Sequence, residues 1–127
     1  MPVTRLTVNF EIGGKREALA DDFQSLLVRI LGIREEDRLV LLDEKKEGFF
    51  QPADTEGRYA LVEIRLFAGR TLATKRKLYR AIVRLFAGWG VPEQNVRIVL
   101  HEVPMENWGI RGGQAACDVD PGYRVEV

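Results

Sequence analysis

Near the start of the chain hydrophobic and polar residues alternate strictly. Leu6, Val8, Phe10 and Ile12 are separated by Thr7, Asn9 and Glu11, a two-residue period that predicts a strand with one wet face. Gly13-Gly14 ends it, and from Lys15 the period lengthens. Leu19, Phe23, Leu26, Leu27, Ile30 and Leu31 then fall on one helical stripe, and Gly32 is a natural stop. After the polar connector "REED", the stretch "RLVLLDE" predicts a second strand. Lys45 to Gly57 is rich in charges and turn formers, and is expected to form one long loop. "RYALVEIRLF" predicts a third strand broken at Gly69. A helix follows with Leu78, Ile82, Leu85, Phe86 and Trp89 on one side, Gly90 is expected to stop it, and "NVRIVLHEV" predicts the fourth strand.

The same unit thus occurs twice. Setting Gly32 beside Gly90 aligns "GIREEDRLVLLDE" with "GVPEQNVRIVLHE", so that Asp37 faces Asn95, Val40 faces Ile98, Leu42 faces Leu100 and Glu44 faces Glu102. This points to a tandem duplication. Repeat one covers about 2–45, the loop 46–57, repeat two about 58–103, and a C-terminal hairpin or tail 104–127, all within one domain. A helical crossover joins parallel neighbours with right-handed sense. The expected architecture is an α/β (α+β) fold of two β-α-β units: a four-stranded, mostly parallel-paired sheet with two helices on one face. The other face is left uncovered. Leu39, Leu41, Tyr59, Leu61 and Val99 would lie on it, a patch of the kind that marks an oligomer interface.

Composition narrows the function. The 127 residues hold 19 Lys plus Arg and 19 Asp plus Glu, so no field builds up over the whole surface, which argues against nucleic acid or a membrane as main partner. One cysteine, Cys117, forms no internal disulfide, and with the single histidine, His101, it makes no structural zinc set; no metal or cofactor is expected. No apolar run approaches the length of a membrane helix, and Thr4, Arg5, Thr7 and Asn9 interrupt any secretion signal, so a cytoplasmic location is expected.

Three features carry candidate chemistry. Pro2 stands directly ahead of the first strand, where a proline is tolerated at the first position of an edge strand. If Met1 is removed, it becomes a secondary amine able to gain and lose a proton. Burial and a neighbouring guanidinium both lower the pKa of such an amine. One like charge about 6 Å away at an effective dielectric of about 20 contributes roughly 3 kcal/mol, or about two pKa units. The amine is then a base near neutral pH, or a general acid if the site keeps it protonated. In "LFAGRTLATKRK", Arg70 lies at a strand end beside a helix N-terminus, and both attract a carboxylate; the alternative is a solvated boundary arginine. In "VPMENWGIRGGQAACD", Trp108 and the glycines after it describe a tight segment with an aromatic wall, or a closing hairpin.

Together these residues resemble the tautomerase superfamily, specifically its malonate semialdehyde decarboxylase-like branch. The resemblance is carried by Pro2, by "EEDRLVLL" with Asp37, by "AGRTLATK" with Arg70 and by "ENWGIRGGQAA" with Trp108. It implies a fold like that of 4-oxalocrotonate tautomerase and macrophage migration inhibitory factor, assembled as a homotrimer. It also implies that Pro2 is the catalytic amine, that Arg70 binds or polarises a substrate carboxylate, that Asp37 orients Pro2 or a water, and that Trp108 walls the pocket. The departures are Ala68, where the branch often has a second arginine, Asn107 and Gly109 in place of an acid and a serine, and a shorter loop before the third strand. They bear on decarboxylation more than on the fold.

The expected function is therefore a keto-enol tautomerase (an isomerase) that shifts protons on a small 2-keto or enol carboxylate, with Pro2 as base and acid and Arg70 as clamp. The alternatives are a decarboxylase or hydratase of a three-carbon acid such as malonate semialdehyde, and a non-catalytic small-molecule-binding trimer.

Overall fold

β1 (Pro2–Val8) is an interior strand, hydrogen-bonded on both sides, in a computed structural model that describes residues 1–127. It runs parallel to β2 (Val40–Glu44) with Thr4 opposite Val40, and antiparallel to β3 (Ala60–Phe67) with Pro2 opposite Leu66. β3 in turn runs parallel to β4 (Val96–Val103), with Val62 opposite Ile98, so the sheet order is β2-β1-β3-β4. The pairs Thr4–Val40 and Val62–Ile98 superpose under the offset that brings Gly32 onto Gly90. Two equal units meet along β1 and β3. Pro2 therefore does not begin an edge strand, and its missing N–H is tolerated because it is the first residue of the ladder.

α1 (Arg16–Leu31) and α2 (Leu72–Ala87) cover one face of the sheet and touch each other. Leu19, Phe23 and Leu27 of α1 and Leu78, Ile82 and Phe86 of α2 are fully buried with Leu6, Val8, Val62 and Ile64 of the central strands. Each such side chain contributes about 1.5–3 kcal/mol by leaving water, which makes this shared core the main attraction between the two units. Gly32 ends α1 with φ of 70°, its N–H donating to the Val28 carbonyl. α2 stops at Ala87 with Gly88 as cap, two residues before the expected Gly90; Gly90 supplies the left-handed residue (φ 74°) that turns the chain into Val91.

The alternation from Leu6 to Ile12 overstates the first strand. Phe10 and Ile12 are buried as the pattern requires, but β1 ends at Val8. Asn9 is the physical reason. Its side chain accepts from the Tyr59 N–H (2.8 Å) and donates to Gln51 Oε1 (2.8 Å), and the Glu44 carboxylate takes the Ile12 N–H at 3.0 Å, so side chains replace the ladder. The loop between β2 and β3 carries no helix or strand and is fastened at its centre by this asparagine clip.

The uncovered face differs from the expected apolar patch in two respects. Leu39, Leu41 and Val99 are exposed and Leu61 is half-buried, but Tyr59 is buried, with Phe49 of the loop at a ring separation of 5.8 Å. Charged residues share the face: Arg5 lies opposite Glu63, and His101 stands 3.7 Å from the Glu63 carboxylate.

A 3-10 turn precedes the last strand of each unit, Glu35–Asp37 and Glu93–Asn95. Asn95 is buried, and its amide donates to the carbonyls of Glu56 (2.8 Å) and Arg58 (2.9 Å) at the entry to β3. Asn95→Ala leaves both acceptors unpaired, and a loss of about 1–3 kcal/mol is expected. Urea unfolding checks this; an unchanged midpoint and slope would show that the amide holds nothing.

Candidate active site

The start of β1, the end of α1, the end of β3 and the start of α2 converge at one end of the sheet, where the 3-10 turn Glu35–Asp37 brings Asp37 to the chain's first amine. The Met1 nitrogen lies 3.6 Å from Asp37 Oδ2. Arg34 holds the other side of the carboxylate, with Nη2 3.0 Å from Oδ1 and Nε 3.3 Å from Oδ2. The three groups form a small charged chain whose middle member is nearly enclosed.

Their protonation follows from this crowding. Burial pulls the Met1 ammonium below its ordinary pKa, the Asp37 carboxylate opposes the drop, and the guanidinium groups of Arg34 and Arg70 add to it. Asp37 feels burial in the raising direction, but the hydrogen bond from Arg34 and the positive charge of the chain terminus outweigh it and leave its carboxyl below the usual range. This end of the sheet thus favours an ionised acid beside an amine that loses its proton readily.

Arg70 is buried, not solvated. It sits between the end of β3 and Thr71, the N-cap of α2, whose hydroxyl accepts the Thr74 N–H at 3.2 Å. Its Nη1 donates to the Phe67 carbonyl (3.3 Å) and its Nη2 points to the Leu31 carbonyl (3.5 Å), while Nε has no partner. Burial lowers its pKa from an ordinary value so high that the group stays charged. Arg70 is thus an enclosed cation held between two backbone carbonyls, with the Tyr123 ring beside it.

Trp108 packs against Phe67 at the end of β3. Its indole N–H donates to the Val103 carbonyl at 3.1 Å, and its ring meets Phe67 edge-on with centroids 5.3 Å apart. The segment after it forms a short hairpin, β5 (Gly109–Ile110) with β6 (Gln114–Ala115). Phe67, Ala116 and Val125 form a second small core, against which Met1, Met105, Trp108, Ile110 and Tyr123 pack. The Met1 side chain therefore packs against the same small core as Trp108 and Tyr123.

Two residues of the site had not been singled out from the sequence. Arg34 was marked only by its three-residue spacing to Asp37 in the polar connector, a spacing that lets the two pair around one turn. Tyr123 belongs to the tail and carried no signal. Its ring lies 5.7 Å from the Arg70 guanidinium carbon, and its buried hydroxyl has no hydrogen-bond partner. Burial raises its pKa, against the pull of Arg70. The tail is pinned further along, where the hydroxyls of Thr71 and Thr74 donate to the Val127 carbonyl.

Comparison with known proteins identifies the family and the fold. The family model described as "Tautomerase enzyme" matches residues 44–111, more than half of the chain, and the chain belongs to that family. The 2-hydroxymuconate tautomerase of Pseudomonas putida is 41% identical over 54 residues, 42% of this chain and 86% of that one, so a single unit here compares in length with nearly all of that relative. Among solved structures, the FG41 malonate semialdehyde decarboxylase inhibited by 3-bromopropiolate is similar at 28% identity and a TM-score of 0.70, over 89% of this chain and 92% of that one. A fused 4-OT symmetric trimer matches at 23% identity and a TM-score of 0.79, over 91% and 97%.

Gly69 controls how the tail sits over Arg70. At φ of 134° it adopts a conformation reserved for glycine, and a Cβ there would lie 3.1 Å from Val125 Cγ1. Gly69→Ala is expected to lift the tail and speed tryptic cleavage after Arg124 several-fold, read by mass spectrometry as loss of the last three residues. An unchanged rate would show that Gly69 does not hold it down.

Proposed function

We propose that Pro2, exposed as the first residue once Met1 is removed, is the proton-transferring base of a tautomerase acting on a small 2-keto or enol carboxylate. The observation that carries this reading is the Asp37 carboxylate 3.6 Å from the chain's first nitrogen in a site that depresses that amine. Removing Met1 frees a secondary amine next to the space its side chain filled among Phe67, Trp108 and Tyr123. A ligand bound there meets the base on one side and an aromatic wall on the other.

The chemistry balances within this set. The Pro2 nitrogen takes a proton from the carbon beside the ketone, or from the enol oxygen, as that bond breaks and the double bond shifts. The resulting ammonium returns the proton at the other end of the conjugated system. Arg70 holds the carboxylate and stabilises the negative charge of the enolate between the two transfers. Asp37 orients the amine and steadies its protonated form, while Arg34 fixes Asp37 in place. Trp108 would form the wall against which the rest of the substrate lies.

A second reading, decarboxylation or hydration of a three-carbon acid such as malonate semialdehyde, is favoured by one observation. Ala68 removes the neighbouring arginine, but Arg34 brings a second guanidinium to the site from another element. A parallel assay for loss of CO2 from malonate semialdehyde and for ketonisation of a 2-hydroxy-dienoate separates the two.

For the tautomerase reading, the acid limb of kcat/KM is expected below the 7.7–8.0 or so of an ordinary α-amino group. Arg34→Gln removes a charge that lowers the amine's pKa and moves the limb to higher pH. Asp37→Asn removes one that raises it and moves the limb lower. Arg70→Ala lowers kcat/KM by about 10²-fold or more. Limbs that stay fixed in both variants would place the base elsewhere.

A homotrimer, the assembly of one solved neighbour, would cover the exposed Leu39, Leu41 and Val99. Light scattering is expected to give three times the chain mass for the wild type and a smaller species for Leu41→Glu. A stable wild-type monomer at micromolar concentration would contradict it.

A further inference from the structure

The geometry points to the outer cleft between α1 and α2 as a binding site for a nucleoside di- or triphosphate, separate from the N-terminal amine. The chain as a whole is neutral, yet α2 carries Lys75, Arg76, Lys77, Arg80 and Arg84 and not one Asp or Glu. Only Lys75 has an acidic partner, Glu102. Arg76, Arg80 and Arg84 form a row of like charges at four-residue spacing, an arrangement that costs a helix a few tenths of a kcal/mol per pair, roughly, unless an anion offsets it.

Lys77, Arg80 and Arg84 meet Arg29 of α1 around a cleft of about 540 Å³ that no acidic residue lines. None of the four cations takes part in an ion pair. Four positive charges converging on one small volume match a ligand with three or four negative charges, as a di- or triphosphate has. A long nucleic-acid track would call for a stripe of charge, whereas these groups are gathered at one place.

A second cleft of about 570 Å³ continues from the first, sharing Arg29, Ala81 and Arg84. Its character changes along its length. Leu26, Leu85 and the half-buried Trp89 supply an apolar, partly aromatic wall, and Ser25 and Asp22 stand at the same site with a hydroxyl and a carboxylate. A planar base fits the wall, sugar hydroxyls fit the serine and the aspartate, and the phosphates fit the cations. The cleft lies on the helical side of the sheet, so association through the uncovered face leaves it open.

Calorimetric titration of the intact protein with ADP, pyrophosphate and adenosine at about 0.15 M salt tests the assignment. ADP is expected to bind at least tenfold more tightly than either fragment. The double variant Arg80→Glu, Arg84→Glu is expected to weaken it at least tenfold while leaving tautomerase activity and assembly size unchanged. No heat at millimolar ADP, pyrophosphate binding as tightly as ADP, tighter binding of duplex DNA, or an unaffected double variant would each overturn it.

Discussion

Burying the first residues of the chain inside a sheet is the constraint from which the rest of this molecule follows. β1 is bounded by β2 and β3, so the terminal amine cannot reach open water as freely as a terminus at a sheet edge would. A buried ammonium without a partner is costly, and Asp37 meets that demand. Asp37 in turn is held by Arg34, and the positive charge of Arg70 lies close enough to press on the same amine. The reactivity proposed for Pro2 thus grows out of a structural problem at the end of an interior strand.

The two matching units show what changes when that strand has no free end. Asp37 and Asn95 occupy matching positions, each in a 3-10 turn reaching toward the entry of the first strand of its own unit. In the second unit the chain runs on through Glu56 and Arg58, whose carbonyls need a donor, and Asn95 donates to both. In the first unit the nearby group is an amine, which needs an acceptor, and the residue is an aspartate. One scaffold position therefore carries an ion pair with an amine in one half and a structural clasp in the other, a division that the exchange of an oxygen for an NH2 is enough to explain.

Most of the fold was legible because periodicity and glycine placement report burial directly. The stripes of α1 and α2 and the αL stop at Gly32 are local properties of the sequence. The end of β1 was not, because Asn9 shortens the strand by bonding to Gln51, Gly57 and Tyr59, far along the chain. The same limit applies to the site. Pro2 and Arg70 sit in distinctive local settings and Asp37 entered as a site residue only through the family resemblance, whereas Tyr123 reaches Arg70 only through the course of the tail. The local concentration of charge on α2 was hidden by a net charge of zero.

The functional nitrogen proposed for this chain is a depressed secondary amine at Pro2. A nitrogen-15 NMR titration of protein labelled at proline, with the intact mass recorded on the same sample, addresses it directly. The expected result is a mass lacking Met1 and a Pro2 resonance that titrates below the roughly 7.7–8.0 of an ordinary α-amino group. Retained Met1, or a Pro2 nitrogen that titrates at or above that range, would contradict it.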